Sequence, residues 1–297
     1  MIMVRGLSAF PLTPVTDEGV DEVAFARIID RLVAAGVASI GVLGSTGSYA
    51  YLDRAERARV VEIAVAHAGE VPVVVGVGAT ATRQVLGLVE DAVERGADAL
   101  LLPPVTYQPL TDDEVHGLYA DVTAACDHPV VVYDNPGTTH VTFSDELHAR
   151  IAALPGIASI KIPPVDPDLA TARERVARLR ALIPDHVGLG ISGDAVGAVG
   201  LLAGCDTWYS SLAGTIPAPL LAVARAALAG DADTALAADA ELAPLWKVMG
   251  RVGSYRTAAV IAEHLGLVQA PCLPGPLRPL PEADRDAIIA ALPTDLT

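Results

Sequence analysis

The sequence predicts an α/β protein: a (β/α)8 TIM barrel followed by a C-terminal helical appendix. Three observations lead there. Short apolar runs alternate eight times with longer Ala/Arg/Glu-rich stretches of helical spacing. Several of those runs are almost continuous Val, Ile and Leu, as strands covered on both faces of a parallel sheet should be. The chain of 297 residues suits one such barrel, which takes about 250 residues, plus further helices. An open doubly wound sheet is the structural alternative, because it needs the same alternation.

The strand-like runs are 6–13, 39–43, 71–76, 99–102, 130–133, 158–162, 187–191 and 207–210. Helical spacing fills 21–35, 54–68, 82–95, 112–126, 144–153, 167–182, 195–203 and 217–229. Asp53, Thr111, Ser144 and Asp194 stand where N-caps belong, because a short side-chain oxygen can accept an unpaired first-turn N–H. Gly36, Gly69 and Gly96 mark helix ends. Further helices are expected over 231–249 and 254–265. A Pro-rich stretch, 271–281, leads to a last helix near 282–291. The expected organisation is a barrel over 1–229 and helices over 230–297 packed on it, with no low-complexity linker between them.

Composition narrows the function. Hydrophobic residues make up 52% and charged residues 19%, enough for a large core and incompatible with a disordered chain. The net charge of −16 argues against binding nucleic acid, which requires a basic surface. An anionic small molecule stays admissible, since the field inside a pocket can oppose the global one. Cys126, Cys205 and Cys272 form no CxxC pair, and an odd count suits no closed disulfide framework, so a reducing cytoplasm is expected. The first residues lack a secretory signal pattern. The uncharged run 32–52 is long enough to span a bilayer. Its glycines and serines make it instead a helix end, a short strand and a loop, and no membrane is expected as a partner.

In a barrel of this kind chemistry sits at the C-terminal ends of the strands. Lys161, within the sixth run, is the most informative residue there. Only two of the twenty basic residues are lysines, Lys161 and Lys247. An apolar strand that holds Lys where the chain otherwise uses Arg points to a group that can lose its proton. Desolvation favours the neutral amine, the nucleophile that attacks a ketone to form a Schiff base. A buried lysine paired with a carboxylate is the plainer alternative. Tyr133 ends the neighbouring run, where its phenol can move a proton or stabilise an oxyanion, or simply be a satisfied core tyrosine. Gly44-Ser45-Thr46-Gly47 offers two hydroxyls and several amides as a carboxylate receptor. It lacks the ending of a phosphate-binding loop. Ser192-Gly193-Asp194 ends the seventh run. The seven histidines show no HxH or HExxH spacing; His140 and Asp134 come nearest to a metal pair, and no metal site is expected. Lys247, beside Trp246, reads as a snorkelling surface residue.

Together these segments resemble the dihydrodipicolinate synthase / N-acetylneuraminate lyase family of class I Schiff-base aldolases. The 44–47 loop resembles that family's GTTGE loop, Tyr133-Asp134-Asn135-Pro136-Gly137 its YNxPG segment, 156–161 its lysine strand and Ser192-Gly193-Asp194 its SGDD turn. The resemblance runs along nearly the whole chain. It implies an imine between Lys161 and a 2-oxo acid, most often pyruvate. It implies carboxylate binding by Ser45, Thr46 and the loop through Gly47, and proton relay by Tyr133. It implies no metal or organic cofactor, and a homo-oligomer, tetramer or dimer.

Departures from the family pattern shape the expectation further. The relay tyrosine after the fourth run aligns with Thr106, and Tyr107 follows one position later, so either is a candidate. Thr138 stands where the synthase branch carries an arginine for its substrate's carboxylate, and Thr offers no bidentate cation. Ser48 replaces a glutamate, and Trp208 and Tyr209 add bulk near the eighth run. The expected catalytic set is therefore Lys161, Tyr133, Ser45 and Tyr107. The expected substrate-binding set is Thr46, Gly47, Thr106, Thr138, Gly193 and Trp208. The expected activity is C–C bond cleavage or condensation on a 2-oxo acid. Dehydration of a sugar-derived 2-oxo acid and dihydrodipicolinate synthesis are alternatives on the same imine, and a non-catalytic 2-oxo acid-binding barrel is the alternative of another class.

Overall fold

A computed structural model describes residues 5–294 and 296. Residues 1–4, 295 and 297, the outermost parts of the two expected segments and of the N-terminal stretch, lie outside the described residues. Eight parallel strands close into a barrel: β1 Gly6–Ala9, β2 Ser39–Val42, β3 Val73–Gly76, β4 Ala99–Leu102, β5 Val130–Tyr133, β6 Ile157–Ile162, β7 Gly188–Ser192 and β8 Thr207–Ser210. Closure comes from β8 pairing with β1, Gly6 opposite Thr207 through Ala9 opposite Ser210. The closed barrel replaces the open-sheet alternative.

Helices α1 Glu22–Ala35, α2 Arg54–Ala68, α3 Thr82–Glu94, α4 Asp112–Ala125, α5 Asp145–Ala152, α6 Leu169–Arg180, α7 Gly197–Leu202 and α8 Pro217–Leu228 form the outer ring. Local chemistry sets their ends. Asp53 with Glu56, and Thr111 with Glu114, make reciprocal capping boxes. The Ser144 hydroxyl accepts from Leu147 N at 3.0 Å. Gly36 closes α1 in the left-handed region at φ 75°. Asp194 is not the expected cap: it lies in a short 3-10 turn, and its carboxylate is engaged by β8 and the loop beyond.

Three further differences from the expectation have local causes. β1 stops at Ala9, and Pro11, which has no N–H to give a ladder, follows two residues on. The chain then folds a small antiparallel pair, Val15–Thr16 with Gly19–Val20, that was not anticipated. The single helix expected over 231–249 is two, α9 Ala232–Glu241 and α10 Ala243–Val252. Pro244 cannot donate to the carbonyl four residues back, so the first helix ends and a second begins.

The appendix continues with α11 Ser254–His264 and α12 Glu282–Ala290. α12 packs on α10 and α11, while α10 and α11 lie against the turns that follow β7 and β8. This brings the appendix to the C-terminal rim of the barrel. Among the described residues no helix is long and apolar enough to cross a membrane.

Two cores result. The larger lies between strands and helices. The smaller fills the barrel itself with Phe10, Val74, Ala99, Leu101, Val131, Tyr133 and Tyr209. Two of its rings need holes. A Cβ at Gly41 would lie 2.3 Å from the Phe10 ring, and one at Gly190 would lie 2.2 Å from the Tyr209 ring. The Tyr209 hydroxyl donates to Ser159 Oγ at 2.9 Å, so the buried phenol is satisfied. Gly41→Ala and Gly190→Ala should each cost about 1–3 kcal/mol of stability through overpacking. Chemical denaturation checks this; an unchanged midpoint would show that the rings move aside freely.

Candidate active site

Strand register assembles the site. Tyr133 on β5 pairs with Lys161 on β6, and Lys161 pairs with Gly190 on β7. Alternate residues of a strand face the barrel interior, so Ser159 and Lys161 point inward together, as do Thr207 and Tyr209. Lys161 is buried, with 7% exposure. Its Nζ lies 4.3 Å from the Phe10 ring centroid, 4.8 Å from that of Tyr133 and 5.6 Å from that of Tyr209. Among the described residues it makes no ion pair, so the carboxylate-paired alternative is not the arrangement found. Burial pulls the amine below its usual range, against opposition from Tyr133 and Asp194.

Tyr133 is held at its hydroxyl. Ser45 Oγ lies 2.9 Å away, and Asn135 Nδ2 donates at 3.0 Å. Burial alone would raise this phenol. The Lys161 charge, with hydrogen bonds from Ser45, Thr138 and Asn135, outweighs burial and sets it below its ordinary value. Amine and phenol are thus both set below their ordinary values, side by side on neighbouring strands.

These groups face a cavity of about 820 Å³ at the C-terminal end of the barrel. Ser45, Thr46, Tyr133, Thr138, Lys161 and Gly193 of the expected set all line it. Four expected residues do not. Gly47 is a turn residue: its amide is used on Gly44 O at 2.9 Å, and a Cβ there would meet Leu43 N at 2.8 Å. Thr106 donates to the carbonyl of Gln108 in the loop after β4. Tyr107 is 89% exposed on the same loop. Trp208 is fully buried on the outward side of β8, against Gly197, with its indole N–H donated to Asp194 at 3.2 Å. Its neighbour Tyr209 has the inward parity and lines the cavity instead.

Residues not singled out from the sequence complete the wall: Phe10, Asn135, Tyr49, Tyr255 and Arg256. Phe10 and Asn135 adjoin strand ends and were within reach of the sequence. Tyr255 and Arg256 come from the appendix, and nothing local to them signals a barrel mouth. Asp134, considered with His140 for a metal, instead lies 3.0 Å from buried His148 on α5. Among the described residues no group of His, Cys, Asp or Glu side chains is placed to hold a metal.

A family model for the dihydrodipicolinate synthetase family matches residues 3–294. The chain belongs to this family. It is an enzyme of the class I aldolase type, as the family resemblance implied. A 4-hydroxy-tetrahydrodipicolinate synthase of Phenylobacterium zucineum is 33% identical, over 98% of this chain and 97% of the relative. One from Hyphomonas neptunium is 34% identical, over 97% of each. Among solved structures, a dihydrodipicolinate synthase from Agrobacterium tumefaciens superposes with a TM-score of 0.93 at 44% identity, covering 97% of both chains. A chloride-inhibited dihydrodipicolinate synthase from Acinetobacter baumannii, complexed with pyruvate, gives 0.87 at 26% identity, again over 97% of each.

The depressed Lys161 amine has two consequences for pH. Adduct formation with a 2-oxo acid should rise about tenfold per pH unit and level off below pH 10.5, the value of an ordinary lysine. Levelling at or above that value would remove the desolvation argument. Charging the buried amine also penalises the fold below its lowered pKa. The penalty fades as pH rises toward the unfolded value of about 10.4. Lys161→Met should therefore abolish adducts yet raise the denaturation midpoint near neutral pH. A lower midpoint would contradict this sign.

Proposed function

We propose that this enzyme forms a Schiff base between Lys161 and pyruvate or a related 2-oxo acid, and uses it for C–C bond cleavage or condensation. The observation that carries the reading is the Lys161 amine: buried, ringed by Phe10, Tyr133 and Tyr209, and among the described residues without an ion-paired carboxylate. The neutral amine attacks the ketone carbon. The resulting carbinolamine loses its hydroxyl as water, with Tyr133 delivering the proton. Ser45 and Asn135 hold the phenol for that transfer. The iminium then withdraws electrons from the neighbouring carbon, which can lose a proton or a carbon substituent. The Ser45 and Thr46 hydroxyls, facing the same cavity, receive the substrate carboxylate.

Thr138 leaves the distal end of the cavity without the arginine of the synthase branch, which supports aldol chemistry over dihydrodipicolinate synthesis. The names of the relatives favour the synthase as the second reading. The exposed ring of Tyr107 supports a homo-oligomer, tetramer or dimer, in which that face is covered. The free thiols of Cys126, Cys205 and Cys272 suit a cytoplasmic setting.

Sodium borohydride with pyruvate, followed by intact mass and peptide mapping, tests the imine. A stable adduct on Lys161, lost in Lys161→Ala, is expected. No adduct with pyruvate or longer 2-oxo acids would sink the mechanism. Deuterium exchange at the pyruvate methyl tests the relay. Tyr133→Phe should slow exchange by about 10²–10⁴-fold, the usual contribution of a placed acid–base group. Exchange at the wild-type rate would exclude Tyr133 as the proton carrier.

A further inference from the structure

We infer that Arg256 is a specificity-determining residue: it anchors a second carboxylate, distal to the ketone, on the 2-oxo acid that this enzyme carries as its imine. The inference rests on the Lys161 imine of the proposed function and adds what the far end of that substrate is.

The argument starts from charge inside the cavity. Its lining includes two cations, Lys161 and Arg256, and one carboxylate, Asp194. Asp194 is already engaged by three donors. Its Oδ1 accepts from Trp208 Nε1 at 3.2 Å, and its Oδ2 accepts from Ser211 Oγ at 2.7 Å and Leu212 N at 3.0 Å. Arg256 is half-buried, lies between this cavity and a small hollow beside Glu263 and Pro271, and makes no hydrogen bond or ion pair among the described residues. Two other arginines of the appendix are matched, Arg251 to Asp284 at 3.2 Å and Arg285 to Glu263 at 2.7 Å, while Arg278 is exposed. In a chain of net charge −16, an arginine left unmatched at the wall of a cavity is available to a ligand. A planar guanidinium suits a carboxylate in particular.

The guanidinium is also carried on a fixed base. Ser48 donates its single hydroxyl proton to Thr13 O at 3.1 Å. The Tyr255 hydroxyl must therefore be the donor in its short contact with Ser48 Oγ. This bond ties the start of α11 to the loop that holds Ser45 and Thr46. Thr257 Oγ1, donating to Gly253 O at 2.9 Å, tightens the same turn. The far-end anchor and the near-end carboxylate receptor are thus joined by one contact. Ser48, where the family pattern has a glutamate, and Thr138, where the synthase branch has an arginine, fall together under this reading: the cation for the distal group comes from the appendix.

Matched pairs of 2-oxo acids test it, using borohydride trapping on the full chain. Each pair shares a chain length and differs in a terminal carboxylate: oxaloacetate with 2-oxobutyrate, 2-oxoglutarate with 2-oxopentanoate, 2-oxoadipate with 2-oxohexanoate. The readout is the ratio of half-saturating concentrations within a pair, so any general effect on imine formation cancels. At least one dicarboxylate should be preferred by about tenfold, as a charge-assisted contact supplies. The ratio should shrink in high salt, fall partway in Arg256→Lys and vanish in Arg256→Met. No preference in any pair, a preference that survives Arg256→Met, or one indifferent to salt would overturn the assignment while leaving the imine intact. Absence of any adduct, pyruvate included, would overturn both.

Discussion

Everything at this site depends on keeping one amine dry. A lysine ammonium in water is protonated and inert; inside a closed barrel, facing three aromatic rings, the neutral form gains. The rings demand space that a packed barrel does not have, and the chain supplies it by deleting side chains opposite them. Gly41 yields to Phe10 and Gly190 to Tyr209. Ser159, one turn of the pleat below Lys161, accepts a hydrogen bond from the Tyr209 hydroxyl, so this buried phenol is satisfied. The pairing of Tyr133 with Lys161 across β5 and β6 then sets phenol and amine side by side without a loop. A site built on strands in this way is held more rigidly than one built on loops.

How much of this was legible in the sequence follows the range of the interactions involved. The eight strands and their helices announce themselves through local periodicity and caps, and Asp53, Thr111 and Ser144 cap as expected. Lys161 and Tyr133 were visible because each ends or interrupts an apolar run. Parity was the first failure. A strand's alternation sends Tyr209 inward and Trp208 outward, and the register with Ser159 and Lys161 would have decided between them. Asp194 was the second: its position before a helix suggests a cap, but a carboxylate near three donors from β8 and its loop serves those instead. The break at Pro244 was readable locally. The placement of Tyr255 and Arg256 at the mouth was not, since it arises from the packing of α10 and α11 on turns far away in sequence.

The appendix thereby becomes part of the chemistry. Under the proposed reading the barrel alone offers Lys161 for the ketone and Ser45 and Thr46 for the adjacent carboxylate, which fixes one end of a substrate. Selectivity among 2-oxo acids has to come from whatever touches the rest of the molecule, because the reacting end is common to all of them. Within the cavity that role falls to side chains from the loop after β5 and from α10 and α11. Thr138 brings an uncharged hydroxyl, whereas Arg256 brings an unmatched charge. The Tyr255–Ser48 bond makes the two ends interdependent: a shift of α11 that moved the guanidinium would pull on the loop that receives the first carboxylate. Under the proposed reading, charge for the distal group resides where the barrel's own sequence motifs do not reach, and substrate choice changes through the appendix while the strand-borne site stays as it is.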